Sequence, residues 1–237
     1  MNSFDQRGNY RQVGVALSTS SFMSRVYFWM MLGLLLSGIV AFQVASNPDR
    51  VISLVSNKLF FYGLFILQFG AVIALSAFIN RMSIMLATSL YLGYTILTGI
   101  TFSTIFLVYS IPSISQAFFI TAFSFAGLSM FGYVTKRDLG PIGSFCMMGL
   151  FGLIGLMLVT MFFPSTQTYG VMMTINIASI VIFAGLTAYD TQKIKNYNYA
   201  SASPEQAKKE AIRGALMLYL DFINLFLSIL RLTGDRR

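Results

Sequence analysis

Seven stretches of the chain, at about residues 26–45, 59–79, 84–109, 115–134, 142–163, 170–190 and 215–233, stay apolar for long enough to cross a lipid bilayer. A helix rising about 1.5 Å per residue needs about 20 residues to traverse a hydrocarbon layer of about 30 Å. Inside that layer no water satisfies the backbone, so each run must hydrogen-bond within itself as a helix, even where Phe, Ile, Val and Thr are frequent. Charge is correspondingly sparse: 10% of residues are charged, against roughly 25% in an ordinary soluble domain. The prediction is an all-α membrane protein with seven transmembrane helices in one domain, residues 26–237, preceded by a polar cytoplasmic arm, residues 1–25. The first apolar run begins only after Arg25 and is longer than the core of a secretory signal, so it is expected to be retained as a span.

Sixteen Lys and Arg against eight Asp and Glu give a net charge of +8, which in a soluble protein would suggest nucleic acid. Here the basic residues lie between apolar runs, where they set topology and meet anionic lipid, so no nucleic-acid partner is expected. With the N-terminus inside, Arg7, Arg11, Arg25, Arg81, Lys136, Arg137, Lys193, Lys195, Lys208, Lys209 and Arg213 fall on the inner side. Arg50, Lys58, Arg231, Arg236 and Arg237 fall outside. Eleven against five favours a cytoplasmic N-terminus and an outward C-terminus. The one cysteine, Cys146, excludes an intramolecular disulfide and offers no metal-ligand spacing. The chain has no histidine, so proton-linked behaviour near neutral pH must come from another group.

Two carboxylates stand out. Asp190 closes the sixth run in AGLTAYDTQKIK, and Asp221 lies inside the seventh in LMLYLDFINLFLSIL. An aspartate at the centre of a span costs about 2.5 to 3.5 kcal/mol on insertion scales, less toward the interface. At 100° per residue, Asn176, Ser179, Thr187 and Asp190 share an arc of about 80°, and so do Asp221, Asn224, Ser228 and Arg231. Facing the two stripes toward each other is the simplest way to keep both from lipid. Ser179 and Ser228 on these stripes are read as interhelical glue, and Gly149, Gly152 and Gly155 as points of close helix contact. The segment ILTGIT in span three echoes IFAGLT in span six, which fits an inverted three-plus-three repeat with span seven added.

If the two carboxylates approach to about 4 Å at an effective dielectric of about 20, they repel by about 4 kcal/mol. The state in which the pair holds one proton between its two members is then favoured, and the pair titrates as a unit. Such a pair senses protons without histidine. It also attracts a divalent cation, but calcium takes six to eight oxygen ligands. Two aspartates with Thr187, Asn224 and backbone carbonyls fall short of a tight cage, so transient passage is expected rather than storage. Arg81, at the inner end of span two, is a candidate salt-bridge partner that closes the inner end, or else an ordinary interfacial anchor.

At these residues the chain resembles the Bax inhibitor-1 family, also called the transmembrane Bax inhibitor motif family, through LTG at 97–99, TKRDL at 135–139, GLTAYDTQK at 185–193 and LYLDFINLFLSILR at 218–231. The likeness is to bacterial members, and so to the bacterial inner membrane. It implies a last helix surrounded by the other six, and a pH-sensitive calcium leak controlled by an aspartate pair mapping onto Asp190 and Asp221, with an arginine partner mapping onto Arg81. Some relatives carry an acidic residue in span two, where this chain has Gln68. No cofactor and no enzymatic activity are expected. The partners implied are membrane lipid, calcium and other membrane proteins. Two other functions stay open: a non-conducting regulator that binds other membrane proteins, and an intramembrane aspartyl protease. The protease reading is disfavoured because Asp221 lies in LYLDF, without the GxGD segment or a following PAL segment.

Overall fold

The structure is a computed structural model and describes residues 19–200 and 203–235, with no account of the side chains of 198–200. The N-terminal arm up to residue 18, including Arg7 and Arg11, and the terminal Arg236 and Arg237 lie outside the described residues. Among the described residues the chain forms α1 (Thr19–Ala45), α2 (Pro48–Ser56), α3 (Lys58–Ala77), α4 (Ile84–Phe102), α5 (Ile105–Val108), α6 (Ile111–Val134), α7 (Gly140–Phe162), α8 (Tyr169–Ala200) and α9 (Pro204–Thr233), and no strand. Among the described residues seven stretches are long and apolar enough to cross a membrane, with α4 and α5 together making the third. Large apolar side chains such as Phe42, Phe119, Phe123, Phe151 and Phe162 are exposed on these helices, the surface expected of a chain whose solvent is lipid.

Polar punctuation sets the helix ends. Ser83 Oγ accepts from Leu86 N at 3.2 Å to open α4, and Ser110 Oγ accepts from Ser113 N at 3.4 Å, just before Pro112, to open α6. Ser203 Oγ accepts from Gln206 N at 3.2 Å ahead of Pro204 and Glu205, which start α9 well before the last apolar run. The last two helices are therefore longer than their apolar runs. Asp190 sits well inside α8 rather than at its end, and Asp221 lies past the middle of α9. The third span is interrupted at Ser103 and Thr104, where the Ser103 hydroxyl donates to Ile100 O at 2.7 Å and the Thr104 hydroxyl to Thr101 O at 2.8 Å. The joining segment between the first two spans contains a helix of its own, α2.

Two compact units divide the described residues, one within Met1–Thr104 and Lys193–Leu216 and one within Ile105–Gln192 and Met217–Arg237. In the first, α1 and α4 pack closely. The Tyr91 hydroxyl donates to Trp29 O at 2.8 Å, and Ser37 Oγ donates to Thr95 O at 2.7 Å. A Cβ on Gly99, the glycine of LTG, would lie 2.7 Å from Ser37 O, so glycine is required for that approach. Gln68 Nε2 donates to Thr101 Oγ1 at 2.8 Å, tying α3 to α4. In the second unit, α6 supports both α8 and α9. Phe118 and Phe125 of α6 meet Phe222 edge-on with ring centroids 5.6 and 5.5 Å apart.

α9 is the most buried of the seven spans: 61% of its apolar stretch is buried, against 17% to 39% in the others. Of the three glycines expected to mark close contact in α7, only Gly149 does so, with Ile182 beside it. Gly152 and Gly155 face open space. Steps of three residues rotate a position by about 60° around a helix, so Gly152 and Gly155 turn progressively away from the face that meets α8.

Candidate functional site

Asp190 on α8 and Asp221 on α9 lie in the second unit, close enough for their carboxylates to interact electrostatically. Asp221 is 4% exposed, and its Oδ2 is buried with no hydrogen-bond partner among the described residues. Asp190 is half-buried. A buried carboxylate within electrostatic reach of a second carboxylate is a place where a proton or a cation gains more than either would at an exposed aspartate.

The segment around Asp190 is pinned by its neighbours. Thr191 Oγ1 lies 2.9 Å from Ser129 Oγ of α6 and itself donates to Thr187 O at 2.8 Å, which leaves Ser129 as the donor of the interhelical bond. Gln192 Oε1 accepts from Leu139 N at 2.9 Å, while Gln192 Nε2 donates to Arg137 O at 2.8 Å. One side chain thus grips the backbone of TKRDL from GLTAYDTQK, joining the two motifs. A Cβ on Gly132 would run into the Ala188 carbonyl, one on Gly143 into the Tyr189 ring, and one on Gly185 into Cys146 Sγ. These glycines bring α6 and α7 against the face of α8 that leads to Asp190. On the other side, Phe222 beside Asp221 is 3% exposed against Phe118 and Phe125.

The polar residues expected to line the site turn inward to their own helices. Thr187 is fully buried and donates to Phe183 O at 2.7 Å, and Asn224 Nδ2 donates to Leu220 O at 2.8 Å. Ser179 and Ser228, expected to glue helices together, donate instead to Ile175 O and Asn224 O of their own helices, both at 2.7 Å. In a bilayer a hydroxyl finds an acceptor four residues back without any partner helix, so a small polar residue on a stripe does not by itself specify an interhelical bond. Arg81 ends the short turn Ile79–Arg81, is exposed, and holds no ion pair within the first unit among the described residues.

A further buried carboxylate was not singled out from the sequence. Glu210 is 7% exposed and lies 3.4 Å from Arg213 Nε, and the Arg213 guanidinium stacks on Tyr197 at 4.5 Å. The signal was present as an acid and a base three apart on a capped helix, hidden within a segment read as a polar connection. Among the described residues no group of three or more potential metal-ligating side chains comes together.

An all-helical multi-pass membrane protein with paired aspartates on its last two helices is the class that this fold and site define. The family profile described as "Inhibitor of apoptosis-promoting Bax1" matches residues 19–237, and the chain belongs to that Bax inhibitor family. It is 41% identical to "Inner membrane protein YbhL" of Escherichia coli (strain K12) over 239 residues, covering 100% of both chains. It is 42% identical to an uncharacterized protein of Borreliella burgdorferi, over 93% of this chain and 94% of that one. An uncharacterized membrane protein of Streptococcus pyogenes serotype M1 is 32% identical over 95% and 96% of the two chains.

Proposed function

We propose that this protein is a pH-sensitive calcium leak of the bacterial inner membrane, gated by Asp190 and Asp221. The observation that carries the reading is Asp221 Oδ2, buried without a hydrogen-bond partner among the described residues, on an aspartate within electrostatic reach of Asp190. When the pair holds a proton, its affinity for a cation is reduced. When it releases the proton, two negative charges face each other, and a divalent cation relieves their repulsion. Two carboxylates supply too few oxygens to retain calcium against water, so the ion is cargo in transit rather than a resident metal. Thr187, whose hydroxyl proton bonds its own helix, offers that passage an acceptor oxygen, and Asn224 offers its amide oxygen while one of its two N–H groups bonds Leu220 O. The family resemblance also implies a part for Arg81 at the inner end. Neither a cofactor nor an enzymatic step enters.

The excess of basic residues on one set of connections supports a cytoplasmic N-terminus, and the E. coli relative is itself named an inner membrane protein. The test is calcium flux into liposomes containing purified protein, across a range of pH. Flux that depends on pH in the parent, with altered dependence in Asp190→Asn and in Asp221→Asn, is the expected result. Unchanged profiles in both variants would remove the gating role. A parent that passes no calcium at any pH would favour a non-conducting regulator of other membrane proteins. Cleavage of a transmembrane substrate, lost in either variant, would favour a protease.

A further inference from the structure

Between the first two spans, α2 is held as a helix at both ends. Asn47 Oδ1 accepts from Asp49 N at 3.1 Å and Arg50 N at 3.4 Å, and Pro48 occupies the first turn. At the far end Asn57 N bonds Ser53 O at 3.2 Å, while Asn57 Oδ1 accepts from Phe60 N at 3.1 Å and so opens α3. The helix is amphipathic, but its apolar arc is not all used by the protein. Val51 is 0% exposed and Leu54 half-buried, whereas Ile52 and Val55 are 53% and 43% exposed. At 100° per residue Ile52 and Val55 lie about 60° apart on one side, and Arg50 lies on the opposite side.

We infer that α2 lies in the membrane interface, with Ile52 and Val55 inserted into the boundary between headgroups and acyl chains, and Arg50 directed to water. The occupant of the exposed apolar strip is lipid because the strip is continuous with surfaces that already face lipid. Exposed Ile39 and Phe42 close α1 directly before it, and exposed Leu59, Phe60 and Tyr62 open α3 directly after it. A helix joining the ends of two spans sits at the level where the hydrocarbon stops, and an apolar edge at that depth partitions into the interface. The buried Val51 fixes the rotation of the helix, so the edge that meets lipid is set by the protein. α2 thereby fixes how deep the adjoining ends of α1 and α3 ride in one leaflet.

The test uses the full chain in phosphatidylcholine vesicles, with Cys146→Ala to remove the native thiol and a nitroxide at Arg50→Cys, Ile52→Cys, Ser53→Cys or Val55→Cys. All four positions are exposed, so the labels perturb packing little. Power saturation with oxygen and with a water-soluble nickel chelate is the readout. The expected result is an oxygen-to-chelate accessibility ratio at 52 and 55 at least about threefold that at 50 and 53, as for a helix lying in the interface plane. Equal, high chelate access at all four positions would place α2 in water. Exclusion of both reagents at 52 and 55 would mean that protein, from a second copy or another partner, covers the strip. Either outcome overturns the inference.

Discussion

Ser129 on α6 and Thr191 on α8 share a hydrogen bond of 2.9 Å between two fully buried side chains, one position beyond Asp190. Because Thr191 spends its own proton on Thr187 O, the bond needs Ser129 as donor. Ser129→Ala is expected to cost about 0.6 kcal/mol and no more than about 1.7 kcal/mol, the average and the maximum for interhelical hydrogen bonds within membranes. The matching Thr191→Val change should cost a similar amount, and the double variant little more than either alone. Reversible unfolding in mixed micelles measures all three. Additive losses would show that the two side chains do not support each other.

Glycines that admit a neighbour and glycines that face lipid should respond oppositely to a methyl group. Gly132→Ala puts a Cβ against the Ala188 carbonyl, a backbone atom that cannot rotate away. The expected loss is about 1 to 3 kcal/mol, as for overpacking of a filled interior. Gly155→Ala meets nothing within reach and removes a flexible residue from a helix interior, so stability should stay level or rise by a few tenths of a kcal/mol. Thermal unfolding of the purified variants in detergent decides it. A Gly132→Ala protein as stable as the parent would mean that α6 and α8 are less closely apposed than described.

The spans were legible in the sequence because they depend on a single-helix property, run length against bilayer thickness, and the two aspartates stand out there by another, charge against an apolar background. The partners of the glycines were not. Which of Gly132, Gly143, Gly149, Gly152 and Gly155 meets a neighbour depends on register between helices distant in sequence, which no local pattern carries. Ser179 and Ser228 illustrate the same limit, since a hydroxyl on a polar stripe can bond its own helix as readily as another. Other misses were readable. Asn47 with Pro48, and Ser203 with Pro204 and Glu205, are ordinary helix starts that a search for apolar runs passes over.

Gln192 should act on the site through position rather than chemistry. Its amide grips Leu139 N and Arg137 O, and Gln192→Leu removes both bonds at once. Water can replace them at the membrane surface, so the stability loss should be no more than about 1.5 kcal/mol. The freed loop should show itself as faster amide exchange at Leu139, with a shift in the pH profile of calcium flux. Gln192→Glu retains the acceptor for Leu139 N and should largely restore slow exchange there. Unaltered exchange at Leu139 in the leucine variant would remove the clamp.

Phe222 tests how firmly Asp221 is seated. Its ring fills the space between Phe118 and Phe125 on α6, and it is 3% exposed. In water, truncating such a residue to alanine forfeits both the transfer of apolar surface and the packing around it, together about 3 to 5 kcal/mol. In a bilayer the transfer term nearly vanishes, because lipid tails are as apolar as the protein interior, and only the packing term remains. Phe222→Ala is therefore expected to lose about 1 to 3 kcal/mol, and Phe222→Leu roughly half of that. If packing also holds the Asp221 carboxylate beside Asp190, the alanine variant should broaden the pH profile of flux, and the leucine variant should keep it close to the parent's. Unfolding in micelles reports the first effect and liposome flux the second. A large stability loss with an unchanged pH profile would show that Asp221 holds its place without the aromatic contact.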